Sequence, residues 1–140
     1  MTNRPVRLLI VDDDESTRAT FAQMLRLEGI EVRTAQNAAT ALDQAFLLAP
    51  DAIIVDLHMP AMDGLTFVQR LRAQEGGVLT PVAIVTGDYS IQETISDSLK
   101  DLGVTIRFKP LWLEDLVRLA GDLLATSAST SRSGQSPISH

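Results

Sequence analysis

The chain contains no cysteine, so neither a disulfide framework nor a thiolate metal site can form. Its two histidines, His58 and His140, are too few for an imidazole-rich zinc site. No apolar run approaches the roughly 20 residues that span a bilayer. The apolar run Leu8 to Val11 near the N-terminus is too short for a signal peptide and stops against the acids Asp12 to Glu15. Positive charge is also scarce. Twelve Lys and Arg face 18 Asp and Glu, for a net charge of −6, which argues against a basic nucleic-acid footprint. These absences fit a protein of the reducing cytoplasm, and any influence on DNA would pass through a partner.

What is present suits one compact domain: 140 residues, 45% of them apolar. Strand-like runs occur at 7–12 (RLLIVD), 31–35 (EVRTA), 52–56 (AIIVD), 82–86 (VAIVT) and 104–108 (VTIRF). Helical spacing follows each of them. Phe21 and Leu25 precede a stop at Glu28-Gly29, and Asn37 is placed to cap a helix carrying Ala41, Leu42, Ala45 and Leu48. Leu65, Val68 and Leu71 lead to the sequence EGG; Ser90 precedes Ile91, Ile95, Leu99 and Leu102, with Gly103 as the stop. A last helix, from about Leu111 to Ala125, carries Leu113, Leu116, Val117, Ala120 and Leu124 on one side.

Apolar strands separated by amphipathic helices imply a parallel sheet covered on both faces. Five such units predict a flavodoxin-like (βα)5 doubly wound α/β fold with strand order 2-1-3-4-5. Residues 1–125 form this domain, and 126–140, with eight Ser or Thr, are expected to be a disordered tail.

Ligands of doubly wound sheets bind beyond the carboxyl ends of the strands. The first strand runs out into Asp12, Asp13, Asp14 and Glu15, the third into Asp56, the fourth into Thr86-Gly87-Asp88 and the fifth into Lys109-Pro110. Under the order 2-1-3-4-5 these four ends are neighbours. Two unit charges 4 Å apart repel by about 4 kcal/mol at an effective dielectric near 20, so Asp12, Asp13 and Asp56 need a counter-charge. A hard divalent cation such as Mg²⁺ supplies it. Lys109 adds a point charge and Thr86 a hydroxyl, which together describe a site that handles phosphoryl groups.

The motifs LLIVDDDES, IIVDLHMPAMDGL, AIVTGD and FKPL, in this order and spacing, resemble the receiver domain of two-component response regulators, with some likeness to receivers of hybrid histidine kinases. The resemblance covers about residues 5 to 124. It implies that Asp56 accepts a phosphoryl group from a sensor histidine kinase or a histidine phosphotransfer protein. It also implies that Asp13, Asp56 and the backbone carbonyl of His58 ligate Mg²⁺, with Asp12 acting through water, and that Thr86 and Lys109 hold the phosphoryl oxygens. His58 and Asp88 flank the phosphoryl position and are expected to tune the lifetime of the phosphoaspartate.

The output expected from the resemblance is a switch of partner binding on the face of helix 4, strand 5 and helix 5; a homodimer is compatible with it. Such a domain promotes only its own phosphorylation and dephosphorylation and is not an enzyme in the ordinary sense. One departure stands out. Where receivers carry the aromatic residue that changes position with Thr86, this chain has Ile106, and Phe108 lies on the same strand face by alternation.

Two other readings compete. Asp12, Asp14 and Ser16 also spell DxDxS, which resembles the nucleophile motif of haloacid dehalogenase phosphatases, although no acidic pair of the right kind follows Lys109. A receiver-like adaptor that takes no phosphate is the third. Taken singly, Asp12 to Glu15 is a solvated loop with a helix cap, Lys109 a loop lysine, Thr86 a strand-end β-former and Trp112 a partly exposed packing residue.

Overall fold

The structure, a computed structural model, describes residues 5–75 and 79–135, with side chains as far as Ser127. Ten elements alternate along it: β1 (Arg7–Val11), α1 (Glu15–Arg26), β2 (Glu31–Ala35), α2 (Ala38–Leu48), β3 (Ala52–Val55), α3 (Gly64–Gln74), β4 (Val82–Thr86), α4 (Glu93–Asp101), β5 (Val104–Phe108) and α5 (Leu113–Gln135). The strands form one parallel sheet in the order β2-β1-β3-β4-β5, as the alternation implied.

Side-chain alternation divides the core into two layers. Leu9, Val11, Ile53, Val55, Val82 and Ile84 point to one face, where α2, α3 and α4 bring Ala41, Phe67, Val68 and Leu99. Leu8, Ile10, Ala52, Ile54, Ala83 and Val85 point to the other, covered by Phe21 and Leu25 of α1 and by Leu116, Leu119, Ala120 and Leu123 of α5. The three central strands are buried on both sides, which explains why they are apolar throughout.

Local chemistry sets the helix ends. Asn37 accepts the Thr40 N–H at 2.8 Å and caps α2, and Asp63 accepts the Thr66 N–H at 2.8 Å and caps α3. Gly29 and Gly103 hold positive φ angles, 84° and 76°, at the stops after α1 and α4, a conformation that costs any other residue more.

Three expectations need correction. The fourth helix does not take in Ile91: the Ser90 N–H and hydroxyl both donate to Asp88 Oδ1, at 2.9 and 2.7 Å, and α4 starts only at Glu93. The buried stripe of α5 is Leu116, Leu119, Ala120 and Leu123, whereas Leu113 is exposed and Val117 and Leu124 are only half-buried. This i, i+3, i+4, i+7 set is the one that faces α1 and the sheet. Finally, α5 does not stop at Ala125 but continues to Gln135. Helix propagation adds one hydrogen bond per residue once the first turns are fixed, and no glycine or proline intervenes between Gly121 and Gly134. The part of the expected tail at 136–140 lies outside the described residues, as do His140 and the glycines of the EGG stop.

One contact locks the start of α3 to the end of β3. A Cβ on Gly64 would lie 2.6 Å from the backbone oxygen of Asp56, 2.8 Å from Ile84 Cδ1 and 3.0 Å from Leu57 Cα. The Gly64 N–H also donates to the Leu57 carbonyl at 2.7 Å. Substitution Gly64→Ala is expected to cost about 1–3 kcal/mol, the usual penalty of overpacking, measured by urea denaturation; unchanged stability would show that this approach is not tight.

Candidate functional site

The ladder extends one residue past the ends of β1 and β3. The Asp12 N–H donates to the Ala35 carbonyl at 3.2 Å and the Asp56 N–H to the Val11 carbonyl at 3.0 Å. Both carboxylates are thereby fixed by the sheet rather than by loops. Asp12 is buried, Asp13 exposed and Asp56 between them, and one carboxylate oxygen from each lies within 4.8 Å of the others. Lys109 Nζ reaches over this group from the end of β5, 3.1 Å from Asp12 Oδ2 and 3.8 Å from Asp56 Oδ2.

Asp12 is further engaged through Oδ1, which accepts the Asp14 N–H at 2.9 Å. Its carbonyl accepts from Arg18 Nη1 at 2.8 Å. Asp14 faces elsewhere. It caps α1, accepting from the Ser16 N–H at 3.2 Å and the Thr17 hydroxyl at 2.7 Å. That bonding, Thr17's foremost, holds its carboxyl below the ordinary aspartate value.

Thr86 is fully buried at the end of β4, and its Oγ1 accepts the Asp88 N–H at 3.1 Å. The Asp88 carboxylate meets His58 Nε2 at 2.7 Å, so the loops after β3 and β4, and the two residues expected to flank the phosphoryl position, are joined. The hydroxyl of Ser90, then the His58 ring, pull the Asp88 carboxyl down to about 2. Ile106 is half-buried against the core, one strand over from Ile84. Thr86 pairs in register with Phe108, the last residue of β5.

Tyr89 is the residue that sequence reasoning passed over. Its ring stacks on Phe108, with centroids 5.4 Å apart and planes 22° apart, and its hydroxyl donates to the Lys109 carbonyl. The available signal was its spacing, three residues beyond Thr86, and its being the one tyrosine of the chain.

A family model described as the response regulator receiver domain matches residues 8–120. The chain belongs to this family. Similar proteins include the transcriptional regulatory protein PrrA of Mycobacterium tuberculosis, 36% identical over 132 residues, covering 94% of this chain and 55% of the relative. The response regulator MprA of Mycolicibacterium vanbaalenii is 33% identical over 133 residues, covering 94% of this chain and 56% of its own. This receiver domain thus spans about half the length of the curated relatives it matches.

Among solved structures, the chemotaxis response regulator CheY4 of Vibrio cholerae has a TM-score of 0.78 and 31% identity, over 86% of this chain and all of that one. NtrX of Brucella abortus has a TM-score of 0.83 and 26% identity over 98% of this chain and 31% of that one. The DxDxS reading of the first acidic run finds no support in this family match. Its second aspartate, Asp14, is spent on the α1 cap and stands outside the acidic cluster.

Burial, first, and the charges of Asp12 and Asp13 raise the Asp56 carboxyl above its ordinary value, against the pull of Lys109 and of the His58 N–H. A raised carboxyl means that folding opposes ionisation, so its favourable contribution is complete below the unfolded value and is lost as pH rises through the folded one. Asp56→Asn is therefore expected to be more stable than the parent at pH 7, with the difference vanishing on acidification below the ordinary aspartate range. Urea midpoints across pH measure this, and a variant less stable at pH 7 would contradict it.

Proposed function

We propose that this receiver domain takes a phosphoryl group onto Asp56 from a phosphohistidine of a sensor kinase or phosphotransfer protein. The observation that carries the reading is the convergence of Asp12, Asp13, Asp56 and Lys109 within a few ångströms at the carboxyl edge of the sheet. An Asp56 carboxylate oxygen attacks phosphorus as the phosphorus–nitrogen bond breaks, and the electron pair returns to the donor imidazole, which takes up a proton. Lys109 and the Thr86 hydroxyl are the groups of this chain that hold the phosphoryl oxygens, and the fixed strand ends keep Asp56 aligned for in-line attack.

The acidic cluster offers only oxygen donors, a set that fits a hard divalent cation and not a soft one. Asp13, Asp56 and the His58 carbonyl would hold Mg²⁺ directly. Asp12, already bonded to Lys109 and the Asp14 N–H, would act through water. The bound ion supplies charge neutralisation for the approaching phosphoryl group. Saturation with Mg²⁺ at 100 times its dissociation constant is expected to stabilise the protein by about 2.7 kcal/mol, and Asp13→Ala to lose that gain in a thermal melt.

The aspartyl phosphate is a signal rather than a product. It adds up to about two negative charges at the crevice and shifts a pre-existing equilibrium of the β4–α4 loop and of the α4-β5-α5 face that a downstream protein reads. The net charge of −6 supports a protein partner over direct nucleic-acid contact. No helix among the described residues is long and apolar enough to cross a membrane, which is compatible with a cytoplasmic site of action.

Incubation with acetyl phosphate and Mg²⁺ is expected to add one phosphoryl group, base-labile and mapped to Asp56 by mass spectrometry, and Asp56→Asn is expected to take none. Loss in Asp12→Asn with retention in Asp56→Asn would restore the phosphatase reading, and no adduct in the parent would favour the adaptor. Because the His58–Asp88 bridge ties the loops after β3 and β4 together, its loss in His58→Ala or Asp88→Ala is expected to admit water and speed dephosphorylation. Unchanged decay in both variants would remove these residues from lifetime control.

A further inference from the structure

We infer that the Tyr89–Phe108 pair performs, in this chain, the conformational coupling for which position 106 lacks an aromatic ring; the inference rests on Asp56 being the phosphoacceptor. Three contacts place it there. The Asp88 N–H donates to Thr86 Oγ1, so the loop that carries Tyr89 is tied to the hydroxyl that must turn toward a phosphoryl oxygen. The Tyr89 ring lies on Phe108, the strand neighbour of Thr86. The Tyr89 hydroxyl donates to the carbonyl of Lys109, the other phosphoryl-holding residue. A single side chain thus touches the segments bearing both groups that change partners on phosphorylation.

Exposure makes the clasp easy to open. Tyr89 is 70% exposed and Phe108 41%, so separating the rings leaves no sealed cavity and exposes little new apolar surface. Ile106 is packed against the core, β-branched and restricted at χ1, and has no comparable outward route. When Thr86 rotates toward the phosphoryl group it forfeits the Asp88 N–H, the loop moves, and Tyr89 leaves Phe108. Phe108, at the end of β5, is then left without its stacking partner. Reciprocity requires the converse: loosening the clasp tightens the binding of a phosphoryl mimic such as beryllofluoride.

Tyr89 is the one tyrosine in the chain, so incorporation of 3-fluorotyrosine yields a single ¹⁹F resonance. In the full chain, beryllofluoride with Mg²⁺ is expected to move that resonance to the position it has in Phe108→Leu, where the stack is absent from the start. Phe108→Leu is further expected to bind beryllofluoride with Mg²⁺ about three- to tenfold more tightly, the range that an aromatic stack is worth. Tyr89→Phe, which keeps the stack and loses the hydroxyl, should fall between.

Mass spectrometry on the same samples separates the two levels of the proposal. An acetyl phosphate adduct on Asp56, with an unmoved resonance and parental beryllofluoride affinity in Phe108→Leu, would overturn the clasp and leave the phosphoacceptor reading intact. Absence of any adduct on Asp56 in the parent would overturn both.

Discussion

Three carboxylates held together at the end of a sheet constitute the constraint on which the rest depends. Asp12 and Asp56 cannot retreat, because their backbone N–H groups belong to the ladder that joins β1 to its neighbours. Their repulsion is met by Lys109, delivered from β5 on the far side of β4, and is eased by keeping Asp56 harder to ionise than an ordinary aspartate. A site built this way stands in electrostatic deficit. It gains most from whatever cation and anion complete it together, which is the behaviour expected of a phosphoryl acceptor.

The crevice is bounded by loops of contrasting construction. On the β3–α3 side, Gly64 abuts the Asp56 backbone, Asp63 caps the helix, and the Leu57 carbonyl is taken by the Gly64 N–H. On the β4–α4 side, Asp88 organises a turn through side-chain bonds to Ser90 and His58, and Tyr89 rests on an exposed ring. Few buried apolar contacts hold that second loop, so it lies toward the low-stability end of the molecule.

Most of the fold was legible in the sequence because the central strands are buried on both faces, which forces unbroken apolar runs. The placement of the candidate site was legible for a related reason: Asp56, Thr86 and Lys109 each end or follow such a run, and the strand order brings those strand ends side by side. The misreadings have local causes. Ile91 looked like the start of the fourth helix, but Asp88 takes the Ser90 N–H and hydroxyl in a turn and the helix begins at Glu93. The stripe of α5 was taken in the wrong phase because Leu113, Leu116, Leu119, Leu123 and Leu124 satisfy more than one helical face, and only docking on α1 and the sheet chooses between them. Tyr89 carried no periodic signal. A loop aromatic shows its role only when its partner Phe108 is seen beside it.

The 2.6 Å between a notional Gly64 Cβ and the Asp56 backbone oxygen has a directional consequence. A side chain is excluded there, so the first turn of α3 stays pressed against the strand end that carries Asp56. On the proposed reading, movement on phosphorylation then falls to the β4–α4 side, and a missing methyl group sets the direction of the response.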